Sequence, residues 1–386
     1  MALKSFESLG QENSSRNKIY RTYFISGFDP RGASHYKRMF QQDLKSKGFK
    51  LGKRTTNEFL TKWQITTNDS YLFKGHSESV YELCFLHWDD IARDNWPKSP
   101  PVMILKCIQF AYWYFFRGGF SRVYKLCPGV AICGAYPSAF LLLSFCLSAG
   151  IASSIAQLNF YFVQAIHIKF LFVLFSLFLA LFLFWRLANS LGIVWLARSI
   201  FFTHRLGISS DKDLRCRIRK FADQLSFLEE NEPSYKVRIV GHSSGSFVLA
   251  MLAAELHRRS NRSLCERLSL LTLGQNFANL SIHEKANSFR ADLEELGRQP
   301  KINWLDVTSR EDLLCFAGVN PFTSCGLPIP FPESYPRMKI IRLMSFRNHY
   351  SLKKVLFNQF DIHFDYLRLN CKDVDFTGLL VNNFEL

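Results

Sequence analysis

The sequence lacks paired cysteines. Its ten cysteines are scattered singly, and no C-x-x-C pair occurs. That spacing argues against a zinc site and against a disulfide framework, and it suits a reducing compartment. No zinc-finger, helix-turn-helix or RNA-binding signature accompanies the net charge of +16. The charge therefore points away from nucleic acid and toward an anionic membrane surface, in keeping with 38 phenylalanines and 15% aromatic residues. The opening residues, MALKSFESLGQENSSRNK, hold no apolar run of the kind a secretory signal needs. The most telling scarcity is of charge. From Leu126 to Trp185 the only formally charged residue is Lys169.

A run that long with one charge does not suit a soluble domain. Two membrane spans are expected, at about 130–156 and 168–188, the apolar window of the second, Phe170–Trp185, being near the lower length limit for crossing. Gly134 and Pro137 are tolerated within membrane helices. Arg117, Arg122 and Lys125 precede this hairpin and Arg186, Arg198 and Arg205 follow it, while the linking turn carries almost no charge. The positive-inside rule then puts both flanking segments, with the termini, in the cytoplasm. Val102–Phe120 reads as an interfacial or partly buried aromatic helix, and Ala188–Phe202 as an aromatic helix lying at the surface. The expected division is a polar tail (1–18), a first soluble part (19–101), the membrane insert (102–205) and a second soluble part (206–386).

The soluble parts read as alternating strands and helices. Ile19–Ser26, Phe49–Leu51, Trp63–Thr67 and Tyr81–Trp88 have strand composition, and Ala33–Lys45 has helical spacing. His87 with Asp89-Asp90 matches no metal-ligand spacing and reads as a strand-end cap. In the second part an amphipathic helix, Asp211–Glu230, precedes strands at Val237–Val240, Leu268–Leu273, Ile302–Ser309 and Met338–Phe346. Strand–helix–strand order implies a parallel sheet with right-handed crossovers.

The segment that carries chemistry is Tyr235–Met251, YKVRIVGHSSGSFVLAM. A β-branched strand turns through Gly241-His242-Ser243-Ser244-Gly245 into an apolar helix, which is G-x-S-x-G in its proper context. A serine hydroxyl needs exposure and a base to act as a nucleophile. The sharp turn supplies the exposure, and glycines allow strand and helix to pass closely. The Ser244 N–H at the helix start faces the developing oxyanion.

On these residues the chain resembles the α/β-hydrolase fold, in its serine lipase and esterase branch. The resemblance covers both soluble parts and not the middle. It implies a mostly parallel α/β-hydrolase-like sheet interrupted by a transmembrane hairpin. The loop Gly27-Phe28-Asp29-Pro30-Arg31-Gly32 falls where this fold puts its second oxyanion donor, the N–H of Gly27 or Phe28; an ordinary Asp-Pro turn is the alternative. Some bacterial membrane-associated hydrolases look similar here, which points to a bacterial inner membrane. Chain order of serine, acid and histidine puts the acid after the strand two beyond the serine's, at Asp312, with Glu311 and Asp306 as alternatives. The base is His363, in a run H-F-D-Y-L similar to the final histidine motif of several lipases, or else His349. His242 is expected to be packed or to line the pocket.

The resemblance thus implies a membrane-anchored serine hydrolase acting on a lipid or other acyl ester. It implies no metal and no organic cofactor, and it leaves the oligomeric state open. The rival is a catalytically silent hydrolase fold serving as a membrane scaffold. A channel is disfavoured, since two spans carry almost no polar pathway.

Overall fold

The computed structural model of the chain describes residues 18–67, 79–162, 166–209, 212–259, 262–298, 302–330, 335–343 and 359–368. The polar tail lies outside these residues, apart from Lys18. The chain before the insert forms β1 (Lys18–Ile25), α1 (Gly32–Ser46), β2 (Phe49–Thr56), β3 (Leu60–Thr67), β4 (Ser79–Leu86) and α2 (Asp89–Asp94). The insert forms α3 (Pro100–Ala111), a π-helical turn (Tyr112–Phe116), α4 (Gly119–Leu126), α5 (Pro128–Phe162), α6 (Ile166–Ser190) and α7 (Ile193–Ile208). After it come α8 (Lys212–Asn231), β5 (Lys236–His242), α9 (Gly245–Arg258), α10 (Arg262–Arg267), β6 (Leu268–Leu273), α11 (Phe277–Ser281), α12 (Asn287–Gly297), β7 (Asn303–Ser309), α13 (Pro321–Ser324), β8 (Arg337–Ile341) and α14 (Gln359–Phe364).

The eight strands make one sheet in the order β2-β3-β4-β1-β5-β6-β7-β8. Only β3 runs against the others. The mixed sheet with helices on both faces fits an α/β-hydrolase-like fold. Its centre joins the parts of the chain before and after the insert, since β1 pairs with β5 in parallel, Arg21 opposite Val237.

Alternation along the strands divides the core. Tyr23, Ile25, Val237 and Ile239 face α8, α9 and α12. Phe24, Val240, Leu271 and Val307 face α1 and α14. A buried guanidinium ties the two soluble parts together. Arg21 on β1 reaches Glu82 Oε2 (2.6 Å) on β4, and Glu229 Oε1 (2.8 Å) and Glu232 Oε2 (2.9 Å) at the end of α8.

A third apolar cluster sits over the end of the sheet where the functional loops gather. It is built from α3, α4, the base of α5 and α7, together with Ala278 and Phe316. Two expectations change here. Val102–Phe120 is partly buried, through Met103, Cys107 and Phe110, but it is not one helix; α3 runs on into the π-helical turn and the chain breaks at Gly118, whose φ of +77° suits glycine. The helix expected at the surface, Ala188–Phe202, is instead divided between the end of α6 and the start of α7. α7 buries Ile193, Val194, Ala197 and Phe201. The Arg198 guanidinium on this helix donates to Pro97 O (2.8 Å) and lies over the Trp96 ring (4.7 Å).

α5 and α6 pack against each other and leave this body. Both are long and apolar enough to cross a membrane. Only 22% and 6% of their most apolar windows are buried. Phe170, Phe175, Phe178 and Leu183 are among the large side chains left exposed.

Candidate active site

The nucleophile candidate is held by close backbone approach. Ser243 follows β5 with φ +55°, the left-handed region that non-glycine residues rarely enter. A side chain at Gly245 would come within 2.4 Å of Ile25 O, and one at Gly241 within 2.6 Å of Gly245 O. Both glycines are therefore required for helix α9 to leave the end of β5 next to β1. The turn is fixed by Ser243 N–H donating to Leu273 O (2.9 Å) and by Ser246 Oγ donating to Ser243 O (2.6 Å).

Gly27 and Phe28 lie beside it. A Cβ on Gly27 would be 3.0 Å from Ser243 Cβ and 3.4 Å from its Oγ. Phe28 is buried and stacks on Phe202 of α7 (4.5 Å). Asp29 shapes the loop, accepting from Arg31 Nη2 (2.7 Å) and from the Tyr36 hydroxyl (3.0 Å).

Asp312 and His363 meet. His363 Nδ1 is 2.7 Å from Asp312 Oδ2, with both side chains buried. The other carboxylate oxygen accepts from Leu314 N–H (2.9 Å). Burial alone would raise this carboxyl; His363 and the N–H groups around it outweigh burial and hold it below the ordinary aspartate value. Gly274, at φ +57°, makes room for the pair, since a Cβ there would sit 3.1 Å from His363 Cε1 and 3.3 Å from Asp312 Oδ2.

The alternative acids are engaged elsewhere. Asp306 is buried in β7 and accepts from Thr272 Oγ1 (2.5 Å); burial pushes it up to about 7. Glu311 accepts from the Ser309 hydroxyl and from Leu343 N–H (3.3 Å). The alternative base, His349, lies outside the described residues. Among the described residues no group of three or more His, Cys, Asp or Glu side chains could hold a metal ion. His87 bonds Thr61 Oγ1 (2.8 Å), Asp90 pairs with Arg217 (2.6 Å), and Asp89 opens α2.

Two residues matter more here than their sequence context suggested. His242 is buried, and its Nε2–H donates to His363 O (2.8 Å), tying α14 to the end of β5. Burial, and His363 beside it, lower this imidazole to about 3, so it stays neutral. Asn276 follows β6, and its Nδ2 donates to Ser243 Oγ (3.3 Å). An amide just beyond a buried strand end was its only sequence signal. His363 Nε2 is buried and has no hydrogen-bond partner among the described residues, so the Ser243 hydroxyl rests on Asn276 rather than on the imidazole.

Ser243, Ser244, Asn276 and His363 share one cleft with Phe110, Trp113, Tyr114 and Leu196 from the insert. The cleft encloses about 920 Å³, its open mouth included. A polar floor under mostly apolar walls is what an acyl ester needs.

Residues 154–314 match the family model of lipase (class 3). That interval begins within α5, takes in Ser243 and Asp312, and ends before His363. The match supports a lipase-like, α/β-hydrolase-like relationship and a hydrolase acting on lipid esters. No curated protein and no solved structure matches the chain.

Proposed function

We propose that the chain is a membrane-anchored serine hydrolase that cleaves apolar acyl esters through Ser243, His363 and Asp312. The observation that carries this reading is the buried Asp312–His363 hydrogen bond in the same cleft as an elbow serine. For the reaction the Ser243 hydroxyl must leave Asn276 for the unpartnered Nε2 of His363. The imidazole takes the hydroxyl proton as Oγ attacks the ester carbonyl. Asp312 fixes the tautomer and stabilises the imidazolium. The oxyanion is held by the N–H of Ser244 with that of Gly27 or Phe28. The imidazolium then protonates the leaving alcohol, and water hydrolyses the acyl-enzyme by the same path. This chemistry calls for no metal and no organic cofactor.

The anchor is α5 with α6. A soluble protein would bury helices this apolar, whereas only 6% of the most apolar window of α6 is buried. Because β1 and β5 are neighbours in the sheet, residues before and after the hairpin must lie on one side of the bilayer. The flanking arginines make that side the cytoplasm.

A fluorophosphonate probe tests the reading. The purified protein is expected to be labelled, and Ser243→Ala is expected to lose the label. A folded but unlabelled parent would favour the scaffold reading, for which the resting hydrogen bond from Asn276 to Ser243 is the supporting observation.

A further inference from the structure

The first turns of α5 carry two different surfaces. Val130, Cys133 and Gly134 share one helical face, and all three line the cleft that contains Ser243. Ile132 and Tyr136 point the other way and are exposed. One helix thickness therefore separates the cleft from the apolar exterior of the hairpin. The wall is closely fitted. The Tyr114 hydroxyl donates to Ala131 O (3.0 Å), and a Cβ on Gly134 would lie 2.7 Å from that hydroxyl oxygen. The same helix is rooted beside the acid, since a Cβ on Gly129 would meet Leu313 at 3.0 Å.

We propose that α5 is the acyl wall of the site. The chain of an ester drawn from the bilayer lies along Val130, Cys133 and Gly134 with its carbonyl at Ser243, so the hairpin selects acyl length as well as anchoring the protein. This rests on the serine-hydrolase and membrane-span readings proposed above. The physical reason is the hydrophobic effect. An acyl chain leaving lipid through water exposes every methylene, whereas passage along a helix that already borders lipid keeps it covered.

The experiment uses the full chain reconstituted in phosphatidylcholine vesicles, with p-nitrophenyl esters of two and sixteen carbons. Replacing Cys133 with tryptophan fills the cleft face. It is expected to lower the ratio of kcat/KM for the sixteen-carbon ester over the two-carbon ester by at least ten-fold. Cys133→Leu, a smaller intrusion, is expected to lower the same ratio less and covers the case in which the tryptophan variant does not fold. Ile132→Trp, on the outer face of the same turn, is expected to leave the ratio within two-fold. An unchanged ratio in both Cys133 variants, or an equal fall in Ile132→Trp, overturns the acyl wall. Undiminished hydrolysis by Ser243→Ala instead overturns the hydrolase reading beneath it.

Discussion

Replacing Asp312 with asparagine probes the proposed chemistry with little change of shape. Asp312 Oδ2 accepts from His363 Nδ1–H at 2.7 Å, and the other oxygen accepts from Leu314 N–H at 2.9 Å. An amide satisfies only one of these donors. With its oxygen toward His363, the NH2 group faces the Leu314 N–H. With its NH2 toward His363, it forces the proton onto Nε2, the atom that must receive the serine proton. The first orientation leaves a buried donor unmet, worth about 1–3 kcal/mol of stability. The second disables the base. A wrong tautomer in a serine–histidine–aspartate site lowers kcat by about 10⁴, or about 5.5 kcal/mol of barrier. The assay is turnover of p-nitrophenyl butyrate in detergent micelles, with a thermal melt to show that the variant is folded. Asp312→Asn combined with His363→Ala is expected to be no slower than His363→Ala alone, because groups acting as one unit are non-additive. A folded Asp312→Asn retaining more than a tenth of parental turnover would refute the assigned role.

Other expectations follow from the same geometry. Gly245→Ala drives a Cβ to within 2.4 Å of Ile25 O, and since backbone must move to accept it, we expect a loss of about 3 kcal/mol or more in chemical denaturation. Arg21→Met removes the guanidinium shared by Glu82 and Glu229 but leaves Lys62 on Glu82 (2.9 Å) and Arg267 near Glu229 (3.5 Å), so the expected cost is about 2 kcal/mol, below the about 3–5 kcal/mol of a stranded buried charge; a loss under about 0.5 kcal/mol would show the network to be dispensable. Burial lowers His242 and His283 to about 3 and His204 to about 4, below the ordinary 6.5. The unfolded chain therefore takes up these protons first. Stability is full above about pH 6.5 and falls as pH drops toward the folded values, by up to about 1.4 kcal/mol per pH unit for each fully buried ring. A melting temperature that is flat between pH 7.5 and 4.5 would count against this.

Local signals in the sequence were strong where one residue type had no substitute. The elbow was legible because glycines at 241 and 245 bracket a serine between a β-branched strand and an apolar helix, and the close approaches at both glycines explain that pattern. The apolar run of the hairpin was legible from its missing charge. The extent of β2 was not, because most of KLGKRTT faces solvent and carries no alternation to read. The setting of α7 was not legible, because its Arg198 is satisfied by Pro97 and Trp96, which are distant in sequence. Chain order does not separate His363 from His349, as both follow the last strand, and only the resemblance of the H-F-D-Y-L run favoured His363. That His363 meets Asp312 is visible only in three dimensions, and His349 lies outside the described residues. Asn276 had no motif at all; its nearness to Ser243 arises from β5 and β6 being neighbours.

The position of β1 bears on how the molecule is made. Its two neighbours, β4 and β5, are translated before and after the hairpin, so as the chain emerges one edge of β1 can pair early and the other stays bare until residue 236 appears. A bare edge beside Tyr23, Phe24 and Ile25 invites pairing with other nascent chains. Whatever delays the hairpin prolongs that interval, so a ribosome stalled between α6 and β5 holds an open half-sheet that no later helix has yet covered.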